Sequence, residues 1–190
     1  MKRKNRGIVF LAIGICLFLC AGIWFSYNLL EDQKAGEKSA HILTLLEQSQ
    51  EGGVLPTQKE DPVLMVEGDA FCGTIAIEKV GIRLPVYDTF SDQNLKSAPC
   101  RYQGSVFTDD LILSGHNYKS HFGNLSLLKK GDVVTFTDPY GTEHNYKVSS
   151  LAEVHGTDVS KMLSGDWDLT LFTCTLSGKT RTAIRCQRIG

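Results

Sequence analysis

Near the C-terminus the chain reads Leu169-Thr170-Leu171-Phe172-Thr173-Cys174, six residues of strand character ending on a cysteine. A short polar loop, residues 175–180, leads into a second β-rich run that opens on Arg181. Paired as an antiparallel hairpin, the two runs set Cys174 and Arg181 opposite each other. Only the thiolate is a strong nucleophile, and a neighbouring cation lowers a thiol's pKa. At ~4 Å and an effective dielectric of about 20, such a pair attracts by roughly 4 kcal/mol. A guanidinium also carries donors suited to an oxyanion. Arg185 shares the strand face with Arg181, but it lies ~13 Å further along at ~3.3 Å per residue, too far to serve the same atom.

A nucleophilic cysteine needs a proton-transfer partner. His116 follows the apolar run Leu111-Ile112-Leu113-Ser114-Gly115, so its imidazole is expected at the rim where that strand ends. The remaining histidines after the N-terminal apolar run, His41, His121, His144 and His155, lack that setting. His41, in a membrane-proximal helix, and His144, at the start of a strand, read as solvated surface.

The elements that must position these residues are short. From Cys72 onward, β-rich runs at 74–78, 82–87, 111–114, 133–137, 144–151, 169–174 and 181–189 alternate with turn signals such as Lys130-Gly131-Asp132 and Asp138-Pro139-Tyr140-Gly141. Strands at this spacing predict a mainly β sandwich or closed barrel. One short helix is expected at 122–128 and a turn at 159–163.

The N-terminus is of another kind. Lys2, Arg3, Lys4 and Arg6 precede an apolar run over residues 7–30 that holds no charge. At ~1.5 Å per residue that run is long enough to cross a ~30 Å hydrocarbon core. A cleaved signal has a shorter apolar core, of roughly 7–15 residues, and a small-residue cleavage site. Trp24 and Tyr27 stand where an aromatic belt meets the headgroups, and Glu31 and Asp32 follow directly, so the charge bias places the N-terminus inside and the remainder outside. The expected organisation is a cytoplasmic tail (1–6), a single transmembrane anchor (7–30), a membrane-proximal helix and linker (31–68) and a catalytic domain (69–190). The linker assignment rests on Gly52-Gly53, Pro56 and Pro62.

Of six cysteines, Cys16 and Cys20 fall in the apolar run. Cys72, Cys100 and Cys186 read as buried small side chains, although the exported cysteines have the number for disulfides. Cys186 falls on the strand face opposite Arg181. With a net charge of -1 and no basic stripe, nucleic acid is excluded as a partner.

Together these residues resemble the sortase family. Thr170-Leu171-Phe172-Thr173-Cys174 followed by Arg181 is similar to the family's TLxTC…R signature, and Leu113-Ser114-Gly115-His116-Asn117 to its histidine motif. Gly73-Thr74-Ile75-Ala76-Ile77 and Leu84-Pro85-Val86-Tyr87 resemble the domain's opening strands. The resemblance covers residues 69–190 and implies an eight-stranded sortase-type β-barrel with short helices. It implies Cys174 as nucleophile, His116 as acid/base and Arg181 as stabiliser of the substrate carbonyl or oxyanion. It implies a transpeptidase that cleaves an LPxTG-like C-terminal sorting signal on exported proteins through a thioester. The acyl group would pass to a peptidoglycan-precursor amine on the outer face of a Gram-positive-type cell. No cofactor and no metal are called for, and no acidic run has a calcium-loop spacing. Pilin-polymerising members carry an Asp-Pro-aromatic lid, whereas Asp61-Pro62-Val63 lacks the aromatic; the context is closer to class B or class D. Two other readings of the same residues are an exported cysteine hydrolase and a non-catalytic, membrane-tethered β-barrel that binds peptide or wall polymer.

Overall fold

A computed structural model describes residues 2–53, 55–57, 61–175 and 178–189. The chain divides into two compact units, Met1–Lys34 and Ala35–Gly190. One helix, α1 (Lys2–Glu51), covers both the residues expected to form the anchor and those expected to form the membrane-proximal helix. Its apolar stretch has a mean hydropathy of 2.7, long and apolar enough to cross a membrane. Within the second unit, α1 buries Ala35, Ser39, Ile42 and Leu46, spaced so that they share one helical face. The helix stops at Gly52-Gly53, where Gly53 takes a left-handed φ of 72°.

The strands are β1 (Leu64–Val66), β2 (Asp69–Ile77), β3 (Ile82–Tyr87), β4 (Cys100–Gln103), β5 (Leu111–Gly115), β6 (Val133–Thr137), β7 (Glu143–His155), β8 (Leu169–Cys174) and β9 (Thr180–Arg188). Eight of them close a barrel in the order β2-β3-β4-β5-β8-β9-β7-β6, with β6 returning to β2; β1 is a short addition beside the start of β2. A bulge at Phe71/Gly73 lets β2 change neighbours from β1 to β6. Gly73 sits there at φ 146°, where a Cβ would lie 2.3 Å from the Thr137 carbonyl oxygen.

The barrel interior is filled by Ile75, Ile77, Leu113, Phe136, Tyr146, Leu171, Ile184 and their neighbours. Two short helices lie outside it: α2 (Asp92–Leu95), whose Ser91 N-cap accepts from the Asn94 N–H, and α3 (Val159–Leu163), capped likewise by Asp158. β8 is buried on both faces up to Thr173. Leu169 and Leu171 point inward, while Phe172 on the outer face packs with Ile112, Val154, Ala183 and Met162 of α3. That double covering is why β8 lacks an apolar-in, polar-out alternation, with Thr170 and Thr173 buried among its apolar residues.

Two strands were not predicted, β1 within the expected linker and β4. Three and four residues are too few to show a period of two. The helix expected at 122–128 is a 3-10 turn, Leu125–Leu127, and the turn expected at 159–163 is the helix α3.

Candidate active site

β8 leaves the barrel at Cys174, its one exposed residue. The following hairpin is closed by the Thr175 N–H donating to the Thr180 carbonyl at 3.0 Å and by Gly178 N–H donating to Thr175 O at 2.9 Å. Cys174 is thereby paired in register with Arg181 on β9. Directly opposed residues share a face with Cβ atoms ~4.5–5.5 Å apart. The face is the outer one, because Ile184 and Cys186 take the inner one. β5 runs parallel beside β8 with Gly115 opposite Thr173, so the next residue, His116, comes abreast of Cys174.

The strand end that presents His116 is tightly constrained. A Cβ on Gly115 would lie 2.4 Å from the Phe122 ring, so only glycine lets the two pack, and the Phe122 N–H returns to the His116 carbonyl at 3.2 Å. The Asn117 N–H donates to Nδ1 of His116 at 3.1 Å. Nδ1 is then an acceptor, and a neutral imidazole holds its proton on Nε2. The ring stacks on Tyr118, centroids 4.1 Å apart and planes within 4°. Arg181, half-buried, donates from Nη1 to the carbonyls of Gly178 and Thr180 at 3.0 and 3.1 Å. A Cβ on Gly156 would come within 3.2 Å of that nitrogen, so glycine lets the turn after β7 pass against the guanidinium.

All three predicted residues line one cavity of about 320 Å³. Its apolar wall is an edge-to-face series in which Tyr102 stands between Phe90 and Phe172, at 5.3 and 5.4 Å, joined by Leu95, Val159 and Met162. Asp92, His155 and Asp158 add polar groups. Such a cavity suits a largely apolar ligand held against a thiol. Of the lining residues, Phe90, Asp92 and Leu95 gave no signal in the sequence, since they lie in a connection without periodicity. Tyr118, two positions after His116, was also missed.

Arg185 does not line this cavity. It is buried beneath α3 and donates to Lys161 O, Met162 O and Thr170 Oγ1 at 2.6, 2.7 and 2.8 Å. Cys72, Cys100 and Cys186 are free and buried, and burial pushes each thiol up to about 12, where it is inert as a nucleophile. His144 departs from the solvated-surface expectation: its side chain is 14% exposed, with Nε2 2.9 Å from Asp138 and Nδ1 facing Arg188 Nη1 at 2.5 Å. Burial against β9 was not visible from a residue that opens a strand. Asp61 pairs with Arg101 at 3.4 Å and lies outside the cavity. Among the described residues, no group of three or more His, Cys, Asp or Glu is placed to hold a metal ion.

A family model described as the sortase domain matches residues 75–189. Among solved structures, sortase C1 of Streptococcus agalactiae is 28% identical over 67% of this chain and 72% of its own, with a TM-score of 0.58. Two from Clostridium perfringens share the fold. A sortase D5 transpeptidase is 18% identical over 83% and 99% of the two chains, with a TM-score of 0.60. A sortase C with the C-terminal cell wall sorting motif is 23% identical over 84% and 90%, with a TM-score of 0.56. A search of the curated proteins gave no match. Because the domain match runs from the middle of β2 to just beyond β9 and takes in more than half of the residues, the chain belongs to the sortase family.

Proposed function

We propose that this sortase is a membrane-anchored cysteine transpeptidase with Cys174 as nucleophile, His116 as acid/base and Arg181 as the donor to the oxyanion. The observation that carries the reading is the meeting of a cross-strand Cys174–Arg181 pair and the strand-end His116 in one cavity. The Cys174 thiolate attacks the carbonyl carbon of the Thr–Gly bond in an LPxTG-like sorting signal. Charge developing on the carbonyl oxygen meets the Arg181 guanidinium. As the C–N bond breaks, His116, entering as the imidazolium of a thiolate–imidazolium pair, gives a proton to the leaving amine and becomes neutral, and a thioester remains. A peptidoglycan-precursor amine then attacks the thioester, His116 takes its proton, and the thiolate is released. The sorting motif held by the C. perfringens sortase C supports the substrate class.

The apolar helix keeps the catalytic unit on the outer face of the membrane, N-terminus inside, beside substrates confined to the same surface. Tethering of that kind raises effective concentration without new contacts. Asp61, paired with Arg101 and outside the cavity, supports a role apart from pilin polymerisation.

The test incubates the full-length chain in detergent with a sorting-signal peptide, with and without an amine acceptor, and reads products by mass. Expected are a thioester adduct on Cys174 and an amine-ligated product, both lost in Cys174→Ala. Hydrolysis alone in the presence of amine would count against transpeptidation, and retained ligation in Cys174→Ala against the nucleophile.

A further inference from the structure

The segment of α1 in the barrel unit touches the loop that carries His116, and it does so with polar groups that have been withdrawn from water. Ser39 is 2% exposed, and its hydroxyl donates to the Ser97 carbonyl at 2.5 Å. A hydroxyl has one hydrogen, so toward His121, whose Nε2 lies 3.0 Å away, Ser39 acts as acceptor. His121 therefore donates from Nε2, and its ring, fully buried, is held in one orientation. That ring lies 5.5 Å from Tyr118, which stacks on His116. The backbone repeats the connection, because the N–H groups of His121 and Gly123 both donate to the Tyr118 carbonyl, at 3.0 and 2.8 Å. One helical turn before Ser39, a Cβ on Gly36 would lie 3.1 Å from Ser120 Cβ, so glycine allows the helix to press on the same loop.

Ser97, the other partner, follows α2, whose Asp92 and Leu95 line the cavity. One buried hydroxyl thus joins the segment after α2 to the loop bearing the acid/base.

We infer that Ser39, His121 and Tyr118 are positioning residues for His116, so that residues 35–51 of α1 belong to the catalytic assembly rather than serving only as a spacer from the membrane. This rests on the reading of His116 as acid/base. Ser39 fixes His121, His121 and its backbone fix Tyr118, and Tyr118 fixes the plane of the imidazole. A proton-transfer group misplaced by about 1 Å loses up to ~10²-fold in rate. The effect therefore falls on turnover, whereas the apolar wall that binds peptide is left in place.

The experiment uses the full chain in detergent, labelled with 15N-histidine; with five histidines, the His116 ring signals are assigned by their loss in His116→Gln. Ser39→Ala, Tyr118→Leu and Tyr118→Phe are compared by ring spectra and by kcat and KM. Ser39→Ala and Tyr118→Leu are expected to lower kcat by about ten- to hundredfold with KM within about twofold. Both are expected to move the His116 ring signals from a single tautomer toward an averaged pattern. Tyr118→Phe, which keeps the stack, restores both. Continued protection of the three buried thiols from alkylation certifies folding, and if Ser39→Ala loses it, Tyr118→Leu carries the test. Unchanged His116 ring signals in the folded variants overturn the inference. Undiminished turnover in His116→Gln would instead remove the acid/base reading, while the ring spectra still decide whether the helix orients His116.

Discussion

Arg185 and Arg181 lie on one strand face, and their replacement separates structural from chemical use of a guanidinium. Arg185 is 6% exposed, and its three bonds satisfy Thr170 Oγ1 and two carbonyls at the end of α3. A helix of five residues has few internal bonds, so its terminal carbonyls depend on such a cap. Burial lowers the pKa of the guanidinium from its usual value. In Arg185→Met, three bonds to a charged donor are lost, worth roughly 4–5 kcal/mol at ~1.5 each. Relief of desolvation offsets part of this, leaving a net loss of about 2 kcal/mol, or ~4–8 °C in Tm for a domain of this size. Because α3 and its cap supply Asp158, Val159 and Met162 to the cavity, KM is expected to rise while kcat stays within about threefold. Trp167 follows α3 and packs on Gly165, so its fluorescence in a Trp24→Phe background reports the loosening. Arg181→Ala should behave oppositely, with Tm nearly unchanged and kcat down by ~10²–10³. If Arg185→Met lowers kcat by that factor with Tm and Trp167 emission unchanged, the assignment of roles to the two arginines is wrong.

Three further outcomes are expected. Gly115→Ala drives a Cβ into Phe122, which displaces His116 and should lower kcat up to ~10²-fold; full activity would show that the strand end relaxes freely. Tyr102→Ala removes two edge-to-face contacts, each worth ~0.5–1.5 kcal/mol, and opens the apolar wall. KM for peptide should rise about tenfold with kcat little changed, and an unchanged KM would mean that peptide binds elsewhere. The thiols of Cys72, Cys100 and Cys186, at about 12 in the folded state, lie above the ~8.5 of an unfolded chain. Between those values the unfolded chain releases protons that the folded chain keeps. Their contribution is therefore complete below pH ~8.5 and falls with rising pH by ~1.4 kcal/mol per unit per thiol. Urea midpoints measured from pH 8 to 11 should decline, and a flat series would contradict the burial argument.

The strands that carry His116, Cys174 and Arg181 were legible because each is marked locally. A β-rich run ends on glycine and histidine, another on cysteine, and a polar loop of turn length joins the second to an arginine. Register followed from loop length, and the observed Cys174–Arg181 pairing is the one that the hairpin geometry predicts. β1 and β4 were not legible, since a strand of three or four residues owes its existence to the neighbour it pairs with. The helix expected at 122–128 failed for a related reason: Phe122 is drawn against Gly115, and the chain turns there to present His116.

By itself, then, the order of residues determined the local chemistry: a thiol, a guanidinium and an imidazole at strand ends, and an apolar helix long enough for a membrane. What only the tertiary structure decided is the company those groups keep. Phe90, Tyr102 and Phe172 come from three segments and meet edge to face. Arg185 turns under α3 while Arg181 opens to the cavity. Ser39, 82 residues before His121, reaches it through a buried hydrogen bond. Periodicity and turn chemistry act over a few residues, whereas these contacts arise when the barrel closes and distant side chains must share the space left to them.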